Sequence, residues 1–183
     1  SAEAQLRWHD DFSLVDRFRD LAIWQDGDVV PPEIVSRVML AMGLLMVSPG
    51  VPMISAGQDF LRHKKGIRNT YLMGEVNAID YRLEDTFATE STFIRELIRY
   101  RLSEYGRRAR QAGSKEWKLH TFASEEASVI VFGWENLDTG ERSLITANCS
   151  IDAVEIDLPD PWNQNFNLLT GYGSGDEVAT VQP

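Results

Sequence analysis

The segment GVPMISAGQDFLRHKKGIRNTYLMGEVNAIDY, residues Gly50 to Tyr81, decides the fold of this chain. It opens with a short apolar run, Val51 to Ala56, and then becomes polar and rich in charge. A brief strand that ends in a long polar loop is typical of a barrel strand whose loop contributes to an active-site rim. Pro52 favours the first positions of this strand, because proline donates no hydrogen bond to a sheet ladder. The loop, Gly57 to Asp80, is long for a compact domain, which indicates either a functional loop or unrecognised secondary structure.

Helical patterns flank this segment on both sides. Ser13 followed by Asp16 fits a capping box, so we predict a helix that starts there. Two prolines and a glutamate ahead of Ile34 suit the first turn of a second helix. The pattern from Ile34 to Val47 is apolar almost all round, so this second helix should be deeply buried. A third, amphipathic helix is predicted over roughly residues 89–110.

The sequence pattern changes near residue 113. From there, short β-rich runs alternate with turn signals that contain glycine, proline and aspartate. The runs are Lys118–Ser124, Ser128–Glu135, Arg142–Asn148, Val154–Leu158 and Phe166–Leu169. Regular short strands separated by turns predict an antiparallel β-sandwich. We therefore divide the chain into an α/β part, residues 1–113, and an all-β part, residues 114–183.

Composition narrows the classes of function. The 183 residues carry a formal net charge of -10, which argues against a nucleic-acid partner because no basic excess is available to neutralise phosphates. No apolar run approaches the roughly 20 residues of a membrane span, so we expect no membrane partner. His63 and His120 lack metal-ligand partners at a recognisable spacing, and we expect neither a metal site nor a cofactor. The single cysteine, Cys149, indicates nothing firm about the cellular compartment.

Five blocks follow one another along the chain: HDDFSLVDR from His9, GVPMISAGQDF from Gly50, RHKKG from Arg62, NTY from Asn69 and NAIDY from Asn77. Together they resemble pullulanase-type debranching enzymes of the α-amylase superfamily. The segment HDDFSLVDR from His9 resembles their HDN-x-TLWDK segment, and GVPMISAGQDF from Gly50 resembles GIPF-x-HAGQEF. RHKKG from Arg62 resembles RTKKG, while NTY from Asn69 and NAIDY from Asn77 resemble the NSY and N-x-x-DW elements. In the β-rich part, Leu144–Ser150 and then Asp157–Pro159 resemble the C-terminal sandwich of the same enzymes. Each block alone is weakly specific, but their shared order across most of the chain is much more specific.

The resemblance implies the last quarter of a (β/α)8 barrel, strand seven to helix eight, followed by a β-sandwich. Leu6–Trp8, which is too short to assign by its pattern alone, would belong to strand seven. Four residues depart from the family pattern. They are Asp11 in place of Asn, Ser55 in place of His, Asp59 in place of Glu and Tyr81 in place of Trp. Asp11 lies next to Asp10, the expected catalytic carboxylate, so this substitution could alter the activity or the substrate preference of the parent enzyme.

The resemblance also implies roles for individual residues. Asp10 would be the carboxylate after strand seven that stabilises an oxocarbenium-like transition state, because a fixed anion favours developing positive charge. His9 would contact the sugar in the cleavage subsite. Four residues would line a glucan groove: Asp59, Arg62, Asn69 and Tyr71. Alternatively, these four belong to a loop that is held together by its own hydrogen bonds and an Asp–Arg pair.

We therefore expect a fragment of an α-glucan debranching glycoside hydrolase that cleaves α-1,6 linkages with retention. In this superfamily the nucleophile and the acid/base come from strands four and five. This chain lacks those segments, so we predict that it does not turn over glycosides alone. The expected partners are an α-glucan oligosaccharide and the missing N-terminal barrel segment. Uncovered strand edges and apolar faces also favour self-association.

Two other interpretations stay open at this point. Trp117, Trp134 and Trp162 could stack on sugars in a non-catalytic carbohydrate-binding or scaffold module, although core or edge packing of a small sandwich is the commoner use of tryptophan. Loss of maltooligosaccharide binding on replacing Trp134 or Trp162 would favour that module. Asp11 suggests a fragment of a degenerate, inactive superfamily member. Whether the parent is inactive would be decided by the presence or absence of carboxylates after strands four and five of the parent sequence.

Overall fold

The computed structural model describes residues 3–6, 11–19, 29–104, 106–110, 115–122, 128–150, 152–164 and 172. The fold mixes helices and strands, and it divides into two compact units, Ser1–Ile98 and Arg99–Pro183. The assignment of residues 1–113 and 114–183 to a barrel part and a sandwich domain stays a prediction.

The first unit contains a parallel pair of strands with two helices between them in the chain. Strand β1 (Glu3–Leu6) pairs with strand β2 (Val51–Ile54), with Glu3 opposite Val51 and Leu6 opposite Ile54. The intervening helices are α1 (Leu14–Phe18) and α2 (Pro32–Val47). Parallel strands end at the same edge of a sheet, so the segments that follow β1 and β2 start from one edge. Of the candidate strand Leu6–Trp8, only Leu6 lies among the described residues.

Both helices begin where the sequence predicts. The Ser13 hydroxyl accepts a hydrogen bond from the Asp16 amide, and the Asp16 carboxylate accepts one from the Ser13 amide, which is the predicted capping box. Helix α2 starts at a proline, where the amide donor is not needed. Its buried side chains are Ile34, Val35, Val38, Met39, Met42, Leu45 and Met46. Helix α2 is thus deeply buried through one face, whereas Ser36 and Arg37 on another face are exposed.

The segment after β2 contains short helices that its sequence pattern does not predict. A 3₁₀ helix (Gln58–Phe60) is followed by α3 (Gly74–Asn77) and α4 (Arg82–Thr86). Gly57, which precedes the 3₁₀ helix, has a φ of 82°, a left-handed conformation that glycine adopts at little cost. The long loop predicted from the sequence is thus a chain of short turns.

The third predicted helix, residues 89–110, is interrupted. Helix α5 spans Ala88–Leu102 and helix α6 spans Arg107–Arg110. A Cβ atom at Gly106 would lie 2.1 Å from the Tyr100 carbonyl oxygen, so the turn between the helices requires glycine. The Ser103 hydroxyl donates to that same oxygen at 2.6 Å and accepts from the Gly106 amide at 3.3 Å. A hydrophobic repeat does not detect a turn of this kind, because serine and glycine carry no apolar signal.

The second unit contains a three-stranded antiparallel sheet with the order β3-β4-β5. The strands are β3 (Trp117–Phe122), β4 (Val129–Asn136) and β5 (Arg142–Asn148), which confirms the first three predicted runs. Val154–Leu158 alternates between half-buried and exposed residues but forms no strand, so that prediction is wrong. The alternation is real, yet the segment has no ladder partner among the described residues. Phe166–Leu169 lies outside the described residues, and the sandwich stays a prediction.

Trp162 packs against one face of this sheet. Its side chain is only 2% exposed, and a Cβ atom at Gly133 would lie 2.3 Å from its ring. The rings of His120 and Phe122 each lie 5.1 Å from the Trp162 ring, and the Arg142 guanidinium lies 5.8 Å from it. Trp162 therefore occupies the space that any side chain at position 133 would need.

We predict that Gly133→Ala lowers the free energy of unfolding of the second unit by about 1–3 kcal/mol, because the new methyl group overpacks the Trp162 site. Urea titration followed by tryptophan fluorescence measures the change. Gly74→Ala is the control, since a Cβ atom there meets nothing within 4 Å. Equal stability of the Gly133 variant and the wild type would contradict the packing described.

Candidate functional site

The six site residues predicted from the sequence divide into two groups. His9 and Asp10 lie outside the described residues, and their roles stay predictions. Asp59, Arg62, Asn69 and Tyr71 are described, and all four lie in the segment after β2. Asp11, the residue next to Asp10, starts the described segment that leads into α1. The geometry of the site is therefore the geometry of residues 11–16 and 57–82.

The Asp16 carboxylate joins these two segments. It is fully buried, and its Oδ2 atom accepts hydrogen bonds from the Ser13 hydroxyl at 2.6 Å and from the Lys64 amide at 2.8 Å. Its Oδ1 atom accepts from the Gly66 amide at 2.8 Å. A buried carboxylate needs such donors, because water no longer solvates it. The sequence predicts Asp16 only as a helix cap and misses this contact between residues that are far apart in the chain.

Lys64 makes a second connection between the same segments. Its side chain is 3% exposed, and its Nζ atom donates to the Asp11 carbonyl oxygen and, at 3.4 Å, to the Thr70 hydroxyl. A buried ammonium group is stable only with such partners. The chain therefore positions the residue next to Asp10 with a buried cation. Sequence reasoning does not single out Lys64, because a lysine in a charged loop normally faces solvent.

Asp11, which stands where the family has Asn, is also held through its side chain. Its Oδ1 atom accepts from the Phe12 amide at 2.8 Å and lies 3.4 Å from the Arg68 Nε atom. The Arg68 guanidinium in turn lies 5.3 Å from the centre of the Phe12 ring. The additional negative charge at position 11 is thus paired with a cation.

Arg62 is tied to Asn77. Its Nη2 atom donates to the Asn77 carbonyl oxygen at 2.8 Å. The Asn77 side chain is itself held by Thr70: its Oδ1 atom accepts from the Thr70 hydroxyl at 2.6 Å, and its Nδ2 atom donates to the Thr70 carbonyl oxygen. No Asp–Arg pair forms between Asp59 and Arg62 in this network, whereas the alternative of a loop held by its own hydrogen bonds describes Arg62 well.

The other three predicted groove residues differ in exposure. Asp59 is half-buried in the 3₁₀ helix, while Asn69 and Tyr71 are exposed. Asn69 has a φ of 50°, a left-handed conformation that asparagine tolerates better than most residues. Tyr71 is 64% exposed, so its ring is accessible to a ligand. Their contacts with a sugar stay predictions.

Within the described residues, no cluster of His, Cys, Asp and Glu side chains could hold a metal ion. The helices of that same part of the chain also lack the combination of length and apolar character that a membrane span needs. His63, an ordinary loop residue in the sequence interpretation, is half-buried, and its burial lowers the pKa of its imidazole.

Comparison with known proteins finds a similar sequence in a pullulanase. A pullulanase of Bacillus subtilis (strain 168) is 29% identical over 128 residues, which cover 68% of this chain and 18% of that protein. The chain is homologous to a pullulanase. This confirms the resemblance to the C-terminal portion of pullulanase-type enzymes. No family model matches the chain.

Solved pullulanase structures share the fold. The crystal structure of the Bacillus subtilis str. 168 type I pullulanase with maltose gives a TM-score of 0.64 at 24% identity, over 83% of this chain and 21% of that one. A mutant pullulanase of Paenibacillus barengoltzii with maltotetraose also gives 0.64, at 22% identity, over 84% and 24% of the two chains. The chain thus spans about a fifth of the length of the pullulanases that it matches.

We predict that Asp16→Asn lowers the free energy of unfolding of the first unit by at least about 2 kcal/mol, because a carboxamide has one acceptor oxygen and either the Lys64 amide or the Gly66 amide then faces an NH2 donor. Urea titration followed by far-UV circular dichroism measures this. Asp85→Asn, at an exposed position of α4, is the matched control and should change stability by less than roughly 0.5 kcal/mol. A similar small effect at both positions would refute the connecting role of Asp16.

Proposed function

We propose that this chain is part of a retaining α-glucan debranching glycoside hydrolase that cleaves α-1,6 linkages. In this proposal residues 1–113 are the last quarter of a (β/α)8 barrel, from strand seven to helix eight, and residues 114–183 form a β-sandwich. The observation that carries the proposal is the parallel pairing of β1 with β2. Two consecutive parallel strands with helices between them are the repeating unit of such a barrel.

The pairing also supports the placement of the site. Asp10 follows the end of β1 by four residues, and the segment with Asp59, Arg62, Asn69 and Tyr71 follows the end of β2. In barrel enzymes, residues after the carboxyl ends of the strands form the active site. The hydrogen bonds from Lys64 and Gly66 to the segment 11–16 give these two loops a fixed relation.

In the proposed mechanism, this chain contributes electrostatic stabilisation of the transition state. A retaining glycosidase places a nucleophile and an acid/base about 5–5.5 Å apart around an oxocarbenium-like transition state. Those two carboxyl groups belong to strands four and five of the parent barrel. Asp10 supplies a third, fixed negative charge that stabilises the positive charge on the sugar ring, and His9 donates to a sugar hydroxyl. Lys64 and Arg68 hold Asp11, and through it they restrict the backbone next to Asp10.

We expect no hydrolysis of pullulan by this chain alone, because it lacks the nucleophile and the acid/base. A chimera tests whether this chain supports hydrolysis within a complete barrel. In the chimera this chain replaces the homologous region of the Bacillus subtilis pullulanase, and released reducing ends are measured. The chimera should hydrolyse pullulan, and Asp10→Asn in it should lower kcat by roughly 100-fold or more.

Two controls accompany this assay. Asp85→Asn in the chimera should leave kcat unchanged, and circular dichroism should show that both variants fold like the parent chimera. Turnover by the isolated chain, or an active Asp10→Asn chimera, would overturn the proposal. A folded but inactive chimera would instead favour the degenerate superfamily member that Asp11 suggests.

A missing barrel segment is the second proposed partner. Within the described residues β1 and β2 form a sheet of two strands, and the second strand exposes 67% of Val51 and 38% of Met53. Barrel closure would cover such residues, since an open sheet edge with apolar side chains is a template for association. This supports both the barrel assignment and the expected self-association.

We predict that the isolated chain associates with itself at high concentration and that Val51→Lys reduces this association. The charge blocks an exposed strand edge without removing a buried group. Light scattering over a concentration series measures the effect. Val29→Lys, a change at a 75% exposed valine outside the sheet, is the control. A monomer at every concentration would count against an uncovered barrel edge.

The carbohydrate-binding module based on tryptophan loses its main support. Trp134 is 5% exposed and Trp162 is 2% exposed, so neither ring offers a face to a sugar. Trp117 is half-buried. The low exposure of these rings supports packing over sugar stacking.

A further inference from the structure

Two adjacent lysines, Lys64 and Lys65, differ sharply in their surroundings. Lys65 is exposed, whereas Lys64 is only 3% exposed. The Lys64 Nζ atom donates to the Asp11 carbonyl oxygen and, at 3.4 Å, to the Thr70 hydroxyl. An ammonium group loses much hydration free energy on burial, and an opposite charge close by offsets this loss. The burial of Lys64 therefore indicates a specific partner for its charge.

The position of the Lys64 ammonium is fixed from both ends of the residue. At the backbone, the Lys64 amide donates to the Asp16 carboxylate at 2.8 Å. At the far end, the hydroxyl of the fully buried Thr70 donates to the Asn77 Oδ1 atom at 2.6 Å. A hydroxyl has one proton, so the Thr70 oxygen is left to accept from Lys64. The ammonium thus has a defined place beside the backbone of residue 11.

Three aspartates lie in residues 10–16, and two of them have other partners on the structure. The Asp16 carboxylate accepts backbone amides and closes the cap of α1. The Asp11 carboxylate accepts its neighbour's amide and lies 3.4 Å from the Arg68 Nε atom. Asp10 directly precedes the residue whose carbonyl oxygen bonds to the Lys64 ammonium. Consecutive Cα atoms are only about 3.8 Å apart, so an aspartate at position 10 is within reach of that ammonium.

We propose that Lys64 is a positioning residue for Asp10 and that its ammonium forms an ion pair with the Asp10 carboxylate. An ammonium carries three donors, so it can bond to a carboxylate in addition to a carbonyl and a hydroxyl oxygen. Such a pair keeps the carboxylate ionised and limits its rotation. The catalytic value of the pair rests on the proposed function, in which Asp10 is a fixed negative charge. The pairing itself does not depend on that function.

A pH titration of the isolated chain tests the pairing. The Asp10 carboxyl carbon is followed by NMR, and Lys64→Met should raise the pKa of Asp10 by at least about one unit, because an adjacent cation favours the carboxylate. Lys65→Met is the matched control, since it removes the same charge at an exposed position; it should change the pKa of Asp10 by less than about 0.3 units. Circular dichroism should show that both variants fold like the wild type.

A second measurement does not require the Lys64 variant to fold. In the wild-type chain, the nitrogen resonance of the Lys64 ammonium should shift as Asp10 titrates. Asp10→Asn should abolish this step, whereas the resonance of Lys65 should not respond to Asp10→Asn. Because Asp11 and Asp16 remain in that variant, the comparison assigns the step to Asp10 alone.

The chimera tests what the pair contributes to catalysis. Lys64→Met should lower kcat roughly tenfold or more and leave KM within about twofold, because Lys64 orients a catalytic charge without contacting the sugar. The acidic limb of the kcat profile should also move to higher pH, since Asp10 without its cation takes up a proton more readily. Lys65→Met should change neither quantity.

The outcomes separate this pair from the proposed enzyme. If the pKa of Asp10 is the same in Lys64→Met and the wild type, or the Lys64 ammonium resonance ignores Asp10→Asn, the ion pair is overturned even when the chimera hydrolyses pullulan. Equal effects of Lys64→Met and Lys65→Met also overturn it. A coupled titration in the isolated chain beside an inactive chimera upholds the pair and rejects the enzyme.

Discussion

The buried carboxylate of Asp16 is the constraint on which the first unit depends. It closes the cap of α1 and at the same time accepts the amides of Lys64 and Gly66, two residues of the segment after β2. Hydrogen-bond donors replace the water around this buried negative charge, and two of them come from the segment after β2, so the two segments meet at this point. Lys64 then reaches Asp11 and Thr70, and Thr70 reaches Asn77. One charge thus organises both loops that the proposed site requires.

This network joins the separate blocks of sequence that carry the resemblance. Hydrogen bonds connect the blocks that begin at His9, Arg62, Asn69 and Asn77, although these blocks are separate in the chain. Exposed and buried side chains of the segment after β2 have different contacts. Tyr71 and Tyr81 are exposed on this segment, whereas the side chains of Arg62 and Lys64 bond to backbone carbonyl oxygens. The surface of the loop and its interior therefore have distinct tasks.

Local signals predict local structure well in this chain. The capping box at Ser13, the proline start of α2 and three β-rich runs depend on neighbours in sequence, and all are confirmed. The sequence-based predictions fail where a contact between distant residues, or a close approach of two backbone segments, determines the structure. The break at Gly106 depends on the nearby carbonyl of Tyr100, and Val154–Leu158 alternates in burial without finding a ladder partner. The role of Lys64 depends on burial, which a charged loop does not reveal.

The parallel register of β1 and β2 has a consequence for the order of folding. Glu3 lies opposite Val51, so a loop of nearly fifty residues must close before the first rung of that sheet can form. In the second unit, the turn between β4 and β5 is short and ends at Gly140, whose φ of 71° suits a tight reversal. Local hairpins close quickly and distant parallel pairs slowly. Pairing of β2 with β1 would therefore lag behind the β4–β5 hairpin, until α1, α2 and the Asp16 hydrogen bonds bring the two strands together.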